Sequence, residues 1–299
     1  MLFAPISEPF VIDERRGIVA LFKPRGWHSV KQADGKGRAG DSMVEWIATH
    51  ARELPSCELN ELIDAASSKA AALPGALRAS GQYSGSSGNR FASEFGMLYR
   101  LDFETSGIML FALTRAVFER MTRAQEERAL EKRYVLVCSA STAGVPGSMP
   151  VSRACEGDAL LADIGAGNAV RVESYFRGYG MRGARVACIA PDFLQKTRKP
   201  TTENLYETRL LKSTRLSGSD AGNMLLEASI RKGFRHQIRA HSAWMGLPIV
   251  GDPIYGGAPA ERLMLEAHAV AFMDEGKIAE AWILHEGIDA ESDEGRTRR

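Results

Sequence analysis

The segment Tyr99-Arg100-Leu101-Asp102-Phe103-Glu104-Thr105-Ser106-Gly107-Ile108-Met109-Leu110-Phe111-Ala112 divides the chain into two unlike parts. Its end, residues 108–113, is a short apolar run and predicts a buried strand. Its start is polar and irregular, and predicts a loop feeding that strand. A carboxylate (Asp102) thus stands at the mouth of a core element, beside a guanidinium (Arg100) and two hydroxyls (Thr105, Ser106). Catalytic groups favour such loops because a rigid strand holds them in place. The same composition also describes an ordinary strand-entry turn with a surface ion pair, since carboxylates are common in turns.

Upstream, residues 17–23 (GIVALFK) predict a strand, and Lys23-Pro24-Arg25-Gly26-Trp27 a turn punctuated by Pro and Gly. A lysine at that point reads as a solvated strand end. Residues 41–54 predict a helix: Ser42 with Glu45 fits a capping box, and Val44, Ile47 and Ala48 share a face. Residues 58–72 predict a second helix. Asp41, Glu45, Glu53, Glu58, Glu61 and Asp64 make this region acidic, as a solvated outer face would be. Residues 73–96 are rich in Gly, Ser and Ala and exceed the roughly 12–15 residues of an ordinary loop. Their composition predicts a mobile segment.

Downstream, Thr114 predicts the cap of a helix running to Lys132, with Val117, Met121 and Ala124 as its apolar stripe. Residues 133–140 then predict a strand with Tyr134 near its start. Residues 169–177, 184–190, 204–213 and 223–230 predict further strands bounded by turn residues. That run points to an α+β fold with a long mixed, mainly antiparallel sheet. Gly178-Tyr179-Gly180-Met181-Arg182-Gly183 is formally a dinucleotide-binding glycine pattern, but a strand rather than a helix follows it, so a hairpin turn explains it better. Residues 233–245 are helical in pattern, with Arg235 and Arg239 on one face, and Gly246 and Pro248 supply the stop. Residues 268–274 and 277–284 predict closing strands. Residues 286–299 predict a disordered tail.

The net charge of +1 leaves no global field to draw the chain onto a polyanion, so any such site must come from local clustering. Lys196, Arg198 and Lys199, with Arg231, Lys232, Arg235 and Arg239, supply a basic middle that fits either a phosphate backbone or ordinary solvated faces. The four cysteines (Cys57, Cys138, Cys155, Cys188) are widely spaced, which argues against a zinc ribbon and a disulfide scaffold. No secretory signal opens the chain and no run approaches a membrane span, so a cytoplasmic location is expected. His236 and His241 are five apart with no Glu between them, so no metal is expected there. A serine hydrolase lacks its G-x-S-x-G elbow. An aspartate-nucleophile hydrolase would need an Asp where Glu104 stands.

Four stretches in this order resemble the RluA-type pseudouridine synthases, a family of RNA uridine isomerases. The opening segment is similar to the family's His-Arg-Leu-Asp-x-x-Thr-Ser-Gly. Lys23-Pro24-x-Gly26 is similar to its N-terminal turn, and Lys132-x-Tyr134 to its Lys-x-Tyr element. His236-Gln237-Ile238-Arg239-x-His241, Gly246-x-Pro248-Ile249 and Gly251-Asp252-x-x-Tyr255-Gly256 resemble its C-terminal motif. The resemblance runs from about residue 17 to about residue 275. It implies a sheet cleft by the active site, Asp102 as the catalytic aspartate, Tyr134 packing on the target base, and Arg239 pairing with the aspartate. Arg100, Thr105 and His236 are implied in substrate binding.

The chemistry fits these residue types. The reaction breaks the N1–C1′ bond of uridine, turns the base and forms C5–C1′, so it requires no cofactor and no metal. An ionised carboxylate can attack C1′ or C6, or take a proton from C2′. Arg239 nearby would favour that ionised form. The base must leave its helix or loop to be reached, and Tyr134 offers it a face to stack on. The chain departs from the family at Tyr99, where His is usual, and at Gly233-Phe234-Arg235-His236, where Gly-Arg-Thr-His is more frequent. The expected organisation is one catalytic domain over residues 1–285, with an insert at 31–96 and a tail at 286–299. The expected partner is rRNA or tRNA. The altered residues also motivate a rival, a non-catalytic RNA-binding or RNA-chaperone protein on the same scaffold.

Overall fold

Residues 18–23 and 106–112 are buried at every position, so neither strand they form has a solvated face. Such strands lie in the interior of a sheet covered on both sides. The computed structural model describes residues 3, 5–30, 42–50, 87–139, 162, 164, 166, 168–192, 202–218, 222–274 and 277–285. In chain order its elements are β1 (Phe10–Arg15), β2 (Ile18–Lys23), α1 (Met43–His50), α2 (Ser87–Ser93), β3 (Ser106–Ala112), α3 (Arg115–Glu126) and β4 (Leu130–Ser139). They continue as β5 (Val170–Tyr179), β6 (Arg185–Ile189), β7 (Tyr206–Arg215), β8 (Asn223–Ile230), α4 (Gln237–Trp244), β9 (Leu265–Asp274) and β10 (Lys277–Ile283). Among the described residues these strands form one sheet in the order β1-β2-β3-β9-β4-β8-β7-β5-β6, with β10 paired to β9. Among the described residues every pairing between these strands is antiparallel except β3 with β9. The expected α+β fold with a mainly antiparallel sheet is therefore what the chain forms.

The exception positions the site. β3 touches β9 through only Ser106↔Glu266 and Gly107↔Ala267; beyond Ala269 the same strand pairs with β10. The sheet forks there, immediately after Asp102. Gly107 has φ +123°, and a Cβ on it would lie 2.2 Å from the carbonyl oxygen of Ala267. Only glycine lets the two backbones approach so closely.

The capping box at α1 forms as expected, with Ser42 Oγ accepting from Glu45 N–H and donating to the Glu45 carboxylate. Thr114 caps α3. The glycines at 178–183 do make a hairpin turn between β5 and β6. Three of the expected elements need correction, and one strand is additional. The helix expected to reach Lys132 ends at Glu126, because Arg128 turns into the left-handed region (φ 60°) and residues 130–132 join the sheet. Cross-strand partners there outweigh the helix preference of Leu-Glu-Lys. The helix expected from residue 233 begins at Gln237, because His236 is also left-handed (φ 56°). Residues 87–93, expected within a mobile segment, form α2, whose Phe91 packs 5.6 Å from the Phe118 ring in the core. Strand β1, with no expected counterpart, pairs with β2 across the Arg16–Gly17 turn.

The expected helix at 58–72, most of the 31–96 insert, Lys196, Arg198 and Lys199, Cys57, Cys155 and the tail at 286–299 lie outside the described residues. Among the described residues no helix is long and apolar enough to cross a membrane, and no three His, Cys, Asp or Glu side chains converge to hold a metal ion.

Candidate active site

Asp102 is partly exposed, and its loop is held from below by side chains that bond its backbone. Ser29 Oγ donates to the Leu101 carbonyl (2.8 Å) and accepts from the Leu101 N–H (3.1 Å), so one hydroxyl satisfies both polar groups of the preceding residue. Lys23 Nζ reaches the carbonyls of Thr105 (2.8 Å), Pro24 (3.0 Å) and Phe103 (3.3 Å). Gly26 N–H adds a second donor to Phe103 O (2.8 Å), and Thr105 N–H closes the turn onto Asp102 O (3.1 Å). Lys23 is fully buried rather than the solvated strand end its position suggests. Burial brings its pKa down to about 7, against the opposing pull of Asp102 and Glu104. The carbonyls replace the water that a lysine gives up on burial.

The signature after Asp102 is tied to the fork. Ser106 Oγ donates to Glu266 (2.9 Å) and accepts from Arg262 (2.7 Å), fixing β3 to β9 beside the Gly107 contact. Thr105, expected to bind substrate, is buried; its backbone rather than an exposed hydroxyl meets its neighbours. Arg100, expected near substrate phosphate, forms an ion pair with the buried carboxylate of Glu94, at the end of α2. The helix missed in the sequence thus anchors the residue two before Asp102.

The opposite wall carries Arg239, on α4, almost fully buried. Its Nε and Nη2 donate to the two oxygens of Asp252 at 2.7 and 2.8 Å, a bidentate pair. Its Nη1 lies 4.0 Å from Asp102 Oδ2. The expected pairing with Asp102 is therefore present, but Asp252 is the tighter partner. Asp252 is itself buried and also accepts the N–H groups of Ile254 and Tyr255, which fixes the Gly251–Gly256 turn. Gly251 (φ +78°) packs where a Cβ would lie 1.8 Å from Arg262 O. Burial works against the Arg239 charge, but the Asp252 bonds outweigh it and raise its pKa.

Between the walls stands Tyr134 on β4. Its cross-strand neighbours are Ala228 on β8 and Ala267 on β9, small side chains that leave the ring room. Burial first, and then the nearby Asp102 carboxylate, push its hydroxyl upward, so it stays neutral. Beneath it, Tyr99 donates to Ile108 O (3.0 Å), and Lys132 Nζ lies 4.9 Å from the centre of its ring. Tyr99 thus serves as a packed pillar under the loop. His236 closes the site: its Nδ1 is 3.2 Å from the Tyr255 hydroxyl, and burial lowers its pKa despite Asp102.

The second departure also has a structural account. Phe234 stacks on Phe176 (5.1 Å, 4°) and against Tyr206 (5.1 Å), so its partly buried side chain packs against the core. Arg235 instead bonds the carbonyl of Gly183 in the β5–β6 turn. Structure thus brings Asp102, Arg239, Tyr134 and His236 together and leaves Thr105 and Arg100 tied to the scaffold. Ser29 and Asp252 carried no assigned role in the sequence reading. Asp252 stood in a quoted motif, whereas an isolated serine before an insert carries no signal.

The sheet thus forks between an acidic loop on one wall and a buried arginine on the other. A family model described as RNA pseudouridylate synthase matches residues 80–244, more than half of the chain. The chain belongs to that family. It is 28% identical over 185 residues to RNA pseudouridine synthase 2, chloroplastic, of Arabidopsis thaliana, covering 62% of this chain and 36% of that protein. It is 27% identical over 187 residues to an uncharacterized RNA pseudouridine synthase of Helicobacter pylori, covering 61% of each. The chain thus spans less than two thirds of these relatives. In fold it is similar to human RNA pseudouridylate synthase domain containing 1, with a TM-score of 0.50, 16% identity, and coverage of 91% of this chain and 81% of that one.

Proposed function

We propose that this chain isomerises specific uridines in RNA to pseudouridine, using Asp102 as the reacting carboxylate. The observation that carries the reading is the placement of a partly exposed Asp102 carboxylate 4.0 Å from a buried guanidinium that Asp252 already holds in place. Arg239 then presents charge to Asp102 without having to reorganise during reaction. Tyr134 lines the floor and offers its ring to the extruded base. The carboxylate acts either as a nucleophile at C1′ or C6 or as a base at C2′. His236, on its left-handed turn, and Arg100, through the loop it anchors, help to shape the substrate site. No cofactor enters the scheme. The RNA is rRNA or tRNA, the compartment is cytoplasmic, and residues 1–285 act as one catalytic domain, since strands from β1 to β10 join one sheet.

The test is a pseudouridine map of rRNA and tRNA from cells with and without the gene. A site lost on deletion, restored by the wild-type chain and not by Asp102→Asn, is the expected result. Restoration by Asp102→Asn would exclude Asp102 as the reacting group. The rival reading, a non-catalytic RNA-binding or RNA-chaperone protein, draws on Phe234 and Arg235 being turned toward the scaffold. It would take over if no site were lost while the chain bound RNA tightly.

A further inference from the structure

Phe103, the residue after Asp102, is 42% exposed in a loop whose neighbours Leu101 and Thr105 are buried. An aromatic ring left in solvent at that position calls for a reason, because burying it would be favourable. Its backbone is among the most firmly held on the loop: its carbonyl accepts from both Gly26 N–H and Lys23 Nζ. The ring lies along the Lys23–Gly26 turn, where a Cβ on Gly26 would come 4.0 Å from its far edge. Its other neighbour is the His28 ring, with centroids 4.5 Å apart and planes at 36°. His28 is fixed in turn, since its carbonyl accepts from Met43 N–H at the start of α1. The arrangement is a small, rigid aromatic shelf next in sequence to the proposed reacting carboxylate, with Phe103 left partly exposed to solvent.

We propose that Phe103, backed by His28, is a stacking platform for the RNA base next to the target uridine. This rests on the uridine-isomerase reading above. When a uridine is drawn down to Asp102, its chain neighbour loses a stacking partner. A neighbouring ring one residue from Asp102 replaces that partner, and base–aromatic stacking is indifferent to base identity. Phe103 is thus a positioning residue acting on substrate binding, distinct from Tyr134, which faces the target base itself.

The experiment uses transcripts of the RNA region whose pseudouridine disappears on gene deletion, with 2-aminopurine placed next to the target uridine. Its fluorescence falls when it stacks. Phe103→Ala is expected to raise KM about tenfold with kcat nearly unchanged and to abolish the quench, while Phe103→Trp restores both. Phe103→Leu keeps apolar bulk without a π-face and replaces the alanine variant if that one does not fold. An unchanged KM and quench in the alanine or leucine variant would overturn the proposal. So would a loss confined to kcat, or one that Trp does not rescue, since either would mean the ring only shapes the loop. Failure of the wild-type chain to modify any transcript or cellular site would instead sink the isomerase reading, and this inference with it.

Discussion

On one wall of the cleft Asp102 is held through its backbone; on the other Arg239 is held through its side chain. The Asp102 loop hangs on Lys23, Ser29 and Gly26, which donate to the carbonyls of Leu101, Phe103 and Thr105, while Ser29 also accepts the Leu101 N–H; none of these bonds uses the carboxylate. Arg239 spends two guanidinium nitrogens on Asp252 and turns a third toward Asp102. Under the proposed function, the difference would keep a reactive group available: the group proposed to react is positioned by bonds that do not touch it, whereas the group proposed to supply a field is fixed by a bidentate partner.

This contrast can be broken most severely on the arginine wall. Asp252→Ala would strand a buried guanidinium, and removing one partner of a buried ion pair costs about 3–5 kcal/mol. Urea denaturation should show a loss of that size, with Asp252→Asn losing less. At the fork, Gly107→Ala forces a Cβ against Ala267 O at a positive φ, and a loss of about 3 kcal/mol is expected; a variant as stable as the parent would mean β3 can move away from β9. On the aspartate wall, Ser29→Ala leaves the Leu101 N–H and C=O in the interior without their hydroxyl, which should cost about 2 kcal/mol. Isomerisation should fall too, because the loop that aims Asp102 loosens.

Lys23 gives the comparison a pH dependence. In the unfolded chain its ammonium persists to about pH 10.5, but in the folded chain only to about 7. Between those values the unfolded state binds more protons, so stability rises with pH across the window, by at most about 1.4 kcal/mol per pH unit for one group. Lys132, brought down to about 8 by burial, adds to the same slope. Urea midpoints between pH 7 and 10 should therefore climb, and Lys23→Met should flatten the climb. An unchanged slope would mean that Lys23 keeps its proton inside the protein. The smallest stability effect is expected at the centre. Asp102→Asn should shift stability by less than about 1 kcal/mol, because no backbone bond of the loop depends on the carboxylate. A large loss there would show that Asp102 also holds the fold.

The elements that read correctly from sequence were those whose local pattern and tertiary environment agree. Residues 223–230 match β8 at both ends, and the Ser42–Glu45 capping box needs only neighbours three residues apart. Where distant partners intervene, local pattern misled. Residues 130–132 look helical and become strand because β8 and β9 flank them. Residues 87–95 have the composition of a loop, yet Phe91 and Phe95 find a core to enter. Lys23 looks like a solvated strand end until a loop from eighty residues away folds over it.

The sequence by itself determined the residue types and their order: an acid beside an apolar strand, a tyrosine near the start of another, an arginine in a helical stretch, and the glycines of turns and helix stops. It could do so because these requirements are local, written in side-chain chemistry and in backbone angles that glycine tolerates easily. Tertiary structure alone decided who holds whom. Asp252 rather than Asp102 became the tight partner of Arg239, Glu94 drew Arg100 to the scaffold, and Ser29 came to brace Leu101. Those pairings join residues between 6 and 72 positions apart, and bond geometry and burial select them only once the sheet has brought the candidates together.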